Sequence, residues 1–134
     1  MAASKYDFVV EQGASYKLSL KYKDDQDNPI SLVNYCARLV WKTSAGTTQT
    51  FLSSDVENPN YKFYIDTDNS LIVLLLSANY TNSLNFNSAK YDLELQSPQD
   101  LYENGGKYTI RLLFGTITIA KRFSQTNSPL DCSI

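Results

Sequence analysis

Apolar residues recur at every second position along most of this chain, the period of a strand with one face buried and the other wet. Over residues 15–23, Tyr16, Leu18, Leu20 and Tyr22 point one way and Lys17, Ser19, Lys21 and Lys23 the other. Ala37, Leu39 and Trp41 share a face opposite Arg38 and Lys42. Tyr61, Phe63 and Ile65 alternate with Lys62, Tyr64 and Asp66, and Tyr91, Leu93 and Leu95 with Asp92, Glu94 and Gln96. Tyr108, Ile110 and Leu112 alternate with Thr109 and Arg111; Ile117 and Ile119 alternate with Thr116, Thr118 and Lys121. A one-residue slip would turn each apolar set to water, so the pattern fixes register as well as element type. The unbroken run Leu71-Ile72-Val73-Leu74-Leu75-Leu76 predicts a buried strand, being far short of the roughly 20 residues that span a bilayer as a helix.

Turn chemistry separates these runs. Asp24-Asp25-Gln26-Asp27-Asn28-Pro29 joins side chains that bond their own backbone to a ring that fixes φ. Ser44-Ala45-Gly46, Glu57-Asn58-Pro59-Asn60, Asp68-Asn69-Ser70 and Asn104-Gly105-Gly106 serve the same purpose, and Leu113-Phe114-Gly115 is tight enough to close a hairpin between the last two runs. Residues 77–84 open with Ser77, a plausible N-cap, and predict one or two helical turns crossing between sheets. About eight short strands then predict an all-β, antiparallel sandwich, with a small closed barrel as the competing architecture. One domain over 1–134 fits the length, which suffices for a single core.

Composition sharpens this picture. Ten Tyr and six Phe supply flat side chains that pack on sheet faces and keep a polar edge at interfaces. Twelve basic against 14 acidic residues give a net charge of −2. With no Lys/Arg run beyond Lys121-Arg122, a nucleic-acid partner is not expected. Cys36 and Cys132 read as free thiols of a protein made in a reducing cytoplasm. The first residues lack the apolar core of a signal peptide, so neither secretion nor a membrane partner is expected.

Chemistry-bearing constellations are scarce. Histidine is absent, which removes the commonest general base, nucleophile partner and transition-metal ligand. The two cysteines form no zinc knuckle, and no phosphate-cradling glycine loop occurs among five glycines. Asp92 and Glu94 share a strand face about 6 to 7 Å apart, within reach of a glycosidase pair, but a solvated outer face explains them more simply. Asp25, Asp27 and Asn28 resemble the start of a calcium loop, yet Ile30 and Cys36 occupy the positions where glycine and glutamate are required. No catalytic, metal or cofactor site is therefore expected, and the chain reads as a binder and not an enzyme. The candidate interface residues are Tyr6, Phe8, Tyr64, Tyr80, Phe86, Tyr102, Phe114, Phe123 and Ile134, aromatics of turns and polar strand faces together with the ends of the chain. Tyr6, Phe8 and Val10 alternate, so the N-terminal stretch can add a strand to this sheet or to a partner's edge. Extended arms are expected at 1–6 and 124–134, ordering on a neighbouring subunit.

Several blocks together carry a resemblance. They are Phe8-Val9-Val10-Glu11-Gln12-Gly13-Ala14, the run from Tyr16 to Asp24, Asn28-Pro29-Ile30-Ser31-Leu32 and Tyr35-Cys36-Ala37-Arg38-Leu39. Leu74-Leu75-Leu76-Ser77-Ala78, Ala89-Lys90-Tyr91-Asp92-Leu93-Glu94-Leu95 and the stretch from Arg111 to Ile119 complete the set. In this order the chain, from about Tyr6 to Phe123, resembles small β-sandwich virion structural proteins of tailed bacteriophages, especially contractile-tailed phages of marine cyanobacteria. It is also similar to the N-terminal domain of phage baseplate upper proteins. The resemblance implies an immunoglobulin-like sandwich acting as a tail, baseplate or fibre-attachment component of the virion, assembled in the host cytoplasm. Its partners would be other virion proteins and copies of itself. Capsid or neck decoration, and a carbohydrate-binding module presenting Tyr and Trp faces to host glycans, are the alternatives. The family offers no catalytic residues to carry over, and its Arg-Leu-Leu-x-Gly block implies a hairpin whose glycine takes a positive φ. The insert between Trp41 and Tyr61 is long for the family and would hold partner-specific contacts.

Overall fold

The computed structural model describes residues 3–54 and 58–122. Within them the chain is mostly β, arranged as two sheets. The smaller sheet holds β3 (Tyr16–Lys21), β7 (Leu71–Leu76) and β6 (Tyr61–Asp66) in that order, all antiparallel. β7 is its centre, and its continuous apolar run suits a strand flanked on both edges, with Ile72, Val73, Leu74 and Leu76 all buried. The larger sheet holds β9 (Lys107–Ala120), β8 (Ser88–Asp100), β4 (Cys36–Thr43) and β5 (Thr48–Leu52). Along the free edge of β9 lie β1 (Ser4–Lys5) and β2 (Phe8–Glu11).

The alternation expected for β3, β4, β6 and β8 is observed. Leu18, Leu39, Trp41, Phe63, Tyr91, Leu93 and Leu95 are buried in one core between the sheets. Removing such side chains from water is the main stabilising term, about 1.5–3 kcal/mol for each large one. Ser77 caps α1 (Ala78–Asn82), its Oγ accepting the Tyr80 amide at 3.1 Å, and the helix carries the chain from the small sheet to the large one. The buried Thr81 hydroxyl donates to the Ala14 carbonyl at 2.8 Å and accepts the Gly13 amide at 3.1 Å, tying α1 to the β2–β3 turn.

Three expectations need correction. The strands are not all antiparallel: β1 and β2 run parallel to β9, with Phe8 opposite Ile117 and Val10 opposite Ile119. Nor is 1–6 a free arm throughout, because Ser4 and Lys5 already pair with Leu113 and Phe114. Finally, Leu113-Phe114-Gly115 closes no hairpin. It lies inside β9, a single strand of 14 residues. The apolar phase does change there, from even positions (Tyr108, Ile110) to odd ones (Ile117, Ile119). The register with β8 skips one residue between Leu93 opposite Leu113 and Glu94 opposite Arg111, so Leu112 is the extra residue of a β-bulge. A bulge shifts side-chain phase without reversing the chain. Gly115 is not among the positive-φ glycines; its missing side chain instead admits the N-terminal backbone, since a Cβ there would press on the Tyr6 carbonyl and come within 2.7 Å of an Asp7 carboxylate oxygen.

Candidate interaction surface

β8 and β9 outrun their neighbours. β4 pairs with β8 only from Ala89 to Gln96, and β1 reaches β9 only at Leu113 and Phe114. Residues 97–110 therefore form a two-stranded ribbon in which Asp100 pairs with Lys107, while at its base Thr109 and Ile110 lie opposite Gln96 and Leu95. Its end is closed where the sequence predicts: Leu101 N–H donates to the Gly106 carbonyl at 2.8 Å and Gly105 N–H to that of Tyr102 at 2.8 Å. Asn104 and Gly106 take the left-handed backbone, at φ 66° and 75°. Lys107 braces the ribbon through Asp100 at 3.1 Å and the Pro98 carbonyl at 2.9 Å. Pro98 suits this stretch, where its missing N–H leaves no ladder bond unmade.

The ribbon carries apolar surface into water. Leu101 is 56 %, Tyr102 65 % and Tyr108 49 % exposed, and the Tyr102 ring lies across Gly105. Tyr108 lies near Tyr22: burial first, then the Tyr35 and Tyr108 phenols, push the Tyr22 hydroxyl above its ordinary pKa. A hollow of about 240 Å3 next to the ribbon's base is lined by Leu20, Tyr22, Ile72 and Leu112 together with Lys21 and Lys23. Isolated two-stranded ribbons are marginal in water, and clustered exposed apolar side chains mark contact surfaces.

Among the described residues, the aromatics singled out from sequence divide into four groups. Phe8 is core, 5 % exposed, stacked on Tyr16 at 5.3 Å and edge-on to Tyr91 at 5.1 Å; the parallel pairing of β2 turns its even positions inward. Tyr80 and Phe86 are half-buried lids on the core, with ring centroids 6.4 and 5.9 Å from that of Trp41. Tyr64 and Phe114 are half-buried on outer sheet faces, under the Lys62 ammonium and the Arg111 guanidinium respectively, each 4.8 Å from the ring centroid. Only Tyr6 and Tyr102 are exposed. Phe123 and Ile134, with the arm at 124–134, lie outside the described residues. Sequence reasoning missed Leu101 and Tyr108, which flank the predicted Asn104-Gly105-Gly106 turn; the alternation ends at Gln96 on β8, and nothing in it marks where the neighbouring strands stop.

The carboxylates considered for catalysis are each matched by a guanidinium. Arg38 donates to Glu94 at 2.9 Å, and Arg111 Nε donates to Asp92 at 2.7 Å, across the outer face of the large sheet. The Asp25–Asn28 stretch is a turn: the Asp24 carboxylate accepts the Gln26 and Asn28 amides, both at 2.9 Å, and Asp27 sits at φ 67°. Cys36 is a free, exposed thiol on β4. Among the described residues no helix is long and apolar enough to cross a membrane. No protein-family model and no curated protein matches the chain.

Proposed function

We propose that this chain is a non-enzymatic structural protein of a tailed-bacteriophage virion, a tail, baseplate or fibre-attachment component that docks on other virion proteins through the ribbon at 97–110. The observation carrying the reading is that ribbon: Leu101, Tyr102 and Tyr108 are held away from the core with more than two-fifths of each exposed. Rigid aromatic side chains of this kind are what protein interfaces bury at their centres. The sequence blocks that resemble phage virion proteins supply the kind of partner.

We also infer that the fold is an immunoglobulin-like sandwich. Strand order supports this. Taking β3, β4, β5, β6, β7, β8 and β9 as B, C, C′, D, E, F and G yields a B-E-D sheet facing a G-F-C-C′ sheet, with a buried Trp41 on strand C.

Mass spectrometry of purified particles tests the functional reading. The chain is expected at a fixed copy ratio to the other tail proteins, with cross-links from Lys107 or the tip to a second virion protein. Its absence from particles would sink the proposal. Micromolar binding on a glycan array, lost on Tyr22→Ala, would transfer the reading to host-sugar recognition.

A further inference from the structure

The outer face of the large sheet is organised in rungs, and one rung is anomalous. Arg38 stands opposite Glu94, and Glu94 opposite Arg111; Asp92 and Arg111 form an ion pair. Further along, Lys42 stands directly opposite Lys90. Like charges in directly opposed positions destabilise a sheet. Both lysines are exposed, and neither forms an ion pair among the described residues. Thr48 and Thr116 flank them in the same row. A hollow of about 430 Å3 at this place is lined by both lysines together with Ser44, Ser88 and Thr116. Asp7, in the link between β1 and β2, accepts the Thr116 amide at 2.8 Å, and Glu11 lies farther along, opposite Ala120. Two lysines and three hydroxyl-bearing residues around one hollow are chemistry for carboxylates.

The opposite end of the molecule supplies carboxylates in excess. The 23–29 and 66–70 loops are joined where Tyr22 N–H donates to the Ser70 carbonyl at 3.0 Å. Together they carry Asp24, Asp25, Asp27, Asp66 and Asp68 against Lys23 alone. Asp24 and Asp66 are occupied in holding their own turns, and Asp27 pairs with Lys23 at 3.1 Å. Asp25 and Asp68 are exposed and pair with no cation among the described residues. This corner lies near the start of β4, and the lysines near its end. Seven strand steps separate those ends by roughly 20 Å, more than two Debye lengths at physiological salt, so one copy does not satisfy its own patch.

We propose that the Lys42–Lys90 patch receives the acidic corner of a second copy of this chain, Asp25 and Asp68 foremost, in a head-to-tail contact. The two surfaces differ, so the contact is heterologous and propagates into a ring or an open array. It stands apart from the docking of the hairpin on other virion proteins: a chain found in particles yet monomeric under every condition below would overturn this inference and leave that reading in place.

Sedimentation velocity on the whole chain tests it, at about 0.02 M and about 0.5 M salt, conditions whose Debye lengths differ severalfold. The wild type is expected to gain mass with concentration at low salt and to lose that gain at high salt. Lys42→Glu/Lys90→Glu should weaken association about tenfold or more, the scale of close interfacial charge pairs. Asp25→Lys/Asp68→Lys should do the same. An equimolar mixture of these two variants should associate as the wild type does, because each then offers the reversed partner of the other. All four positions are exposed, and unchanged melting temperatures verify the fold. A monomeric wild type at low salt, retained association in either variant, or no recovery in the mixture would each overturn the proposal.

Discussion

The β8–β9 hairpin is one continuous ribbon with two unlike halves. In the inner half, β4 lies on one side and β1 and β2 on the other, and the small sheet covers the inward face. Leu93, Leu95 and Ile117 are completely buried there. In the outer half, 97–110, the same two strands continue with neither neighbour, and Leu101, Tyr102 and Tyr108 stand in water. Backbone pairing is antiparallel in both halves but thins to Asp100 opposite Lys107 in the outer one, and the side chains meet different surroundings. The inner half makes the core, and the outer half leaves its apolar side chains exposed.

Substitution separates the two halves most strongly at Leu93. Leu93→Ala removes a side chain with no exposed surface, and urea unfolding should show a loss of about 3 kcal/mol, within the range for core cavities. Little or no loss would mean that the core relaxes around the cavity, and the inner half would then differ less from the outer.

A smaller effect is expected where the N-terminal strands join the ribbon. Gly115→Ala places a Cβ against the Tyr6 carbonyl and the Asp7 carboxylate, backbone and a side chain already engaged with Thr116. Either the N-terminal strand moves or it is strained, at about 1–3 kcal/mol as for other overpacked sites. Amide exchange at Tyr6, which donates to the Phe114 carbonyl at 2.8 Å, should quicken more than at Leu95. Equal changes at both positions would count against a local cause.

That glycine also marks where sequence reading stops. Period-two alternation identified β3, β4, β6 and β8 and their inward residues because each strand obeys one phase throughout. In β9 the phase changes, and a turn or a bulge produces the same string of letters. Leu113-Phe114-Gly115 favoured the turn by composition, while the bulge depends on β8 keeping its own phase alongside. Phe8 was misread for a related reason: a four-residue strand becomes core only when a distant strand, here β9, accepts it in parallel. The site was legible in part. The turn at Asn104-Gly105-Gly106 was clear, but exposure of Leu101 and Tyr108 follows from β4 and β1 ending early, a fact about neighbours.

The core that packs on the inner half should also announce itself in alkali. Burial, with Tyr6 nearby, pushes Tyr16 up to about 12; burial, with Tyr61 nearby, does the same for Tyr80. Burial and the Asp7 charge raise Tyr91 as well, and its hydroxyl donates to the Tyr6 carbonyl. These values lie above the roughly 10 of an unfolded tyrosine, so the unfolded chain gives up its phenolic protons first. Stability from these groups is whole below pH 10 and is lost as pH rises through about 12. Melting temperature should fall across that window, accompanied by delayed phenolate absorbance. Phe variants at Tyr16 and Tyr80 should flatten the fall, and an unchanged slope would show that other groups govern it.

The least disturbance to stability is expected at the tip. Leu101→Ser and Tyr102→Ala delete side chains more than half exposed, and surface changes of this kind usually stay within about 0.5 kcal/mol. If the outer half existed to hold the fold together, both would lower the melting temperature measurably. If it exists to be covered, the variants should melt like the wild type and yet lose incorporation when supplied in place of it during particle assembly. Tyr102→Ala is the sharper of the two, because its ring rests on Gly105, and Tyr102→Phe keeps that contact while removing the hydroxyl. Incorporation rescued by Phe would assign the docking energy to the ring face, whereas loss with Phe as well would assign it to a hydrogen bond from the phenol.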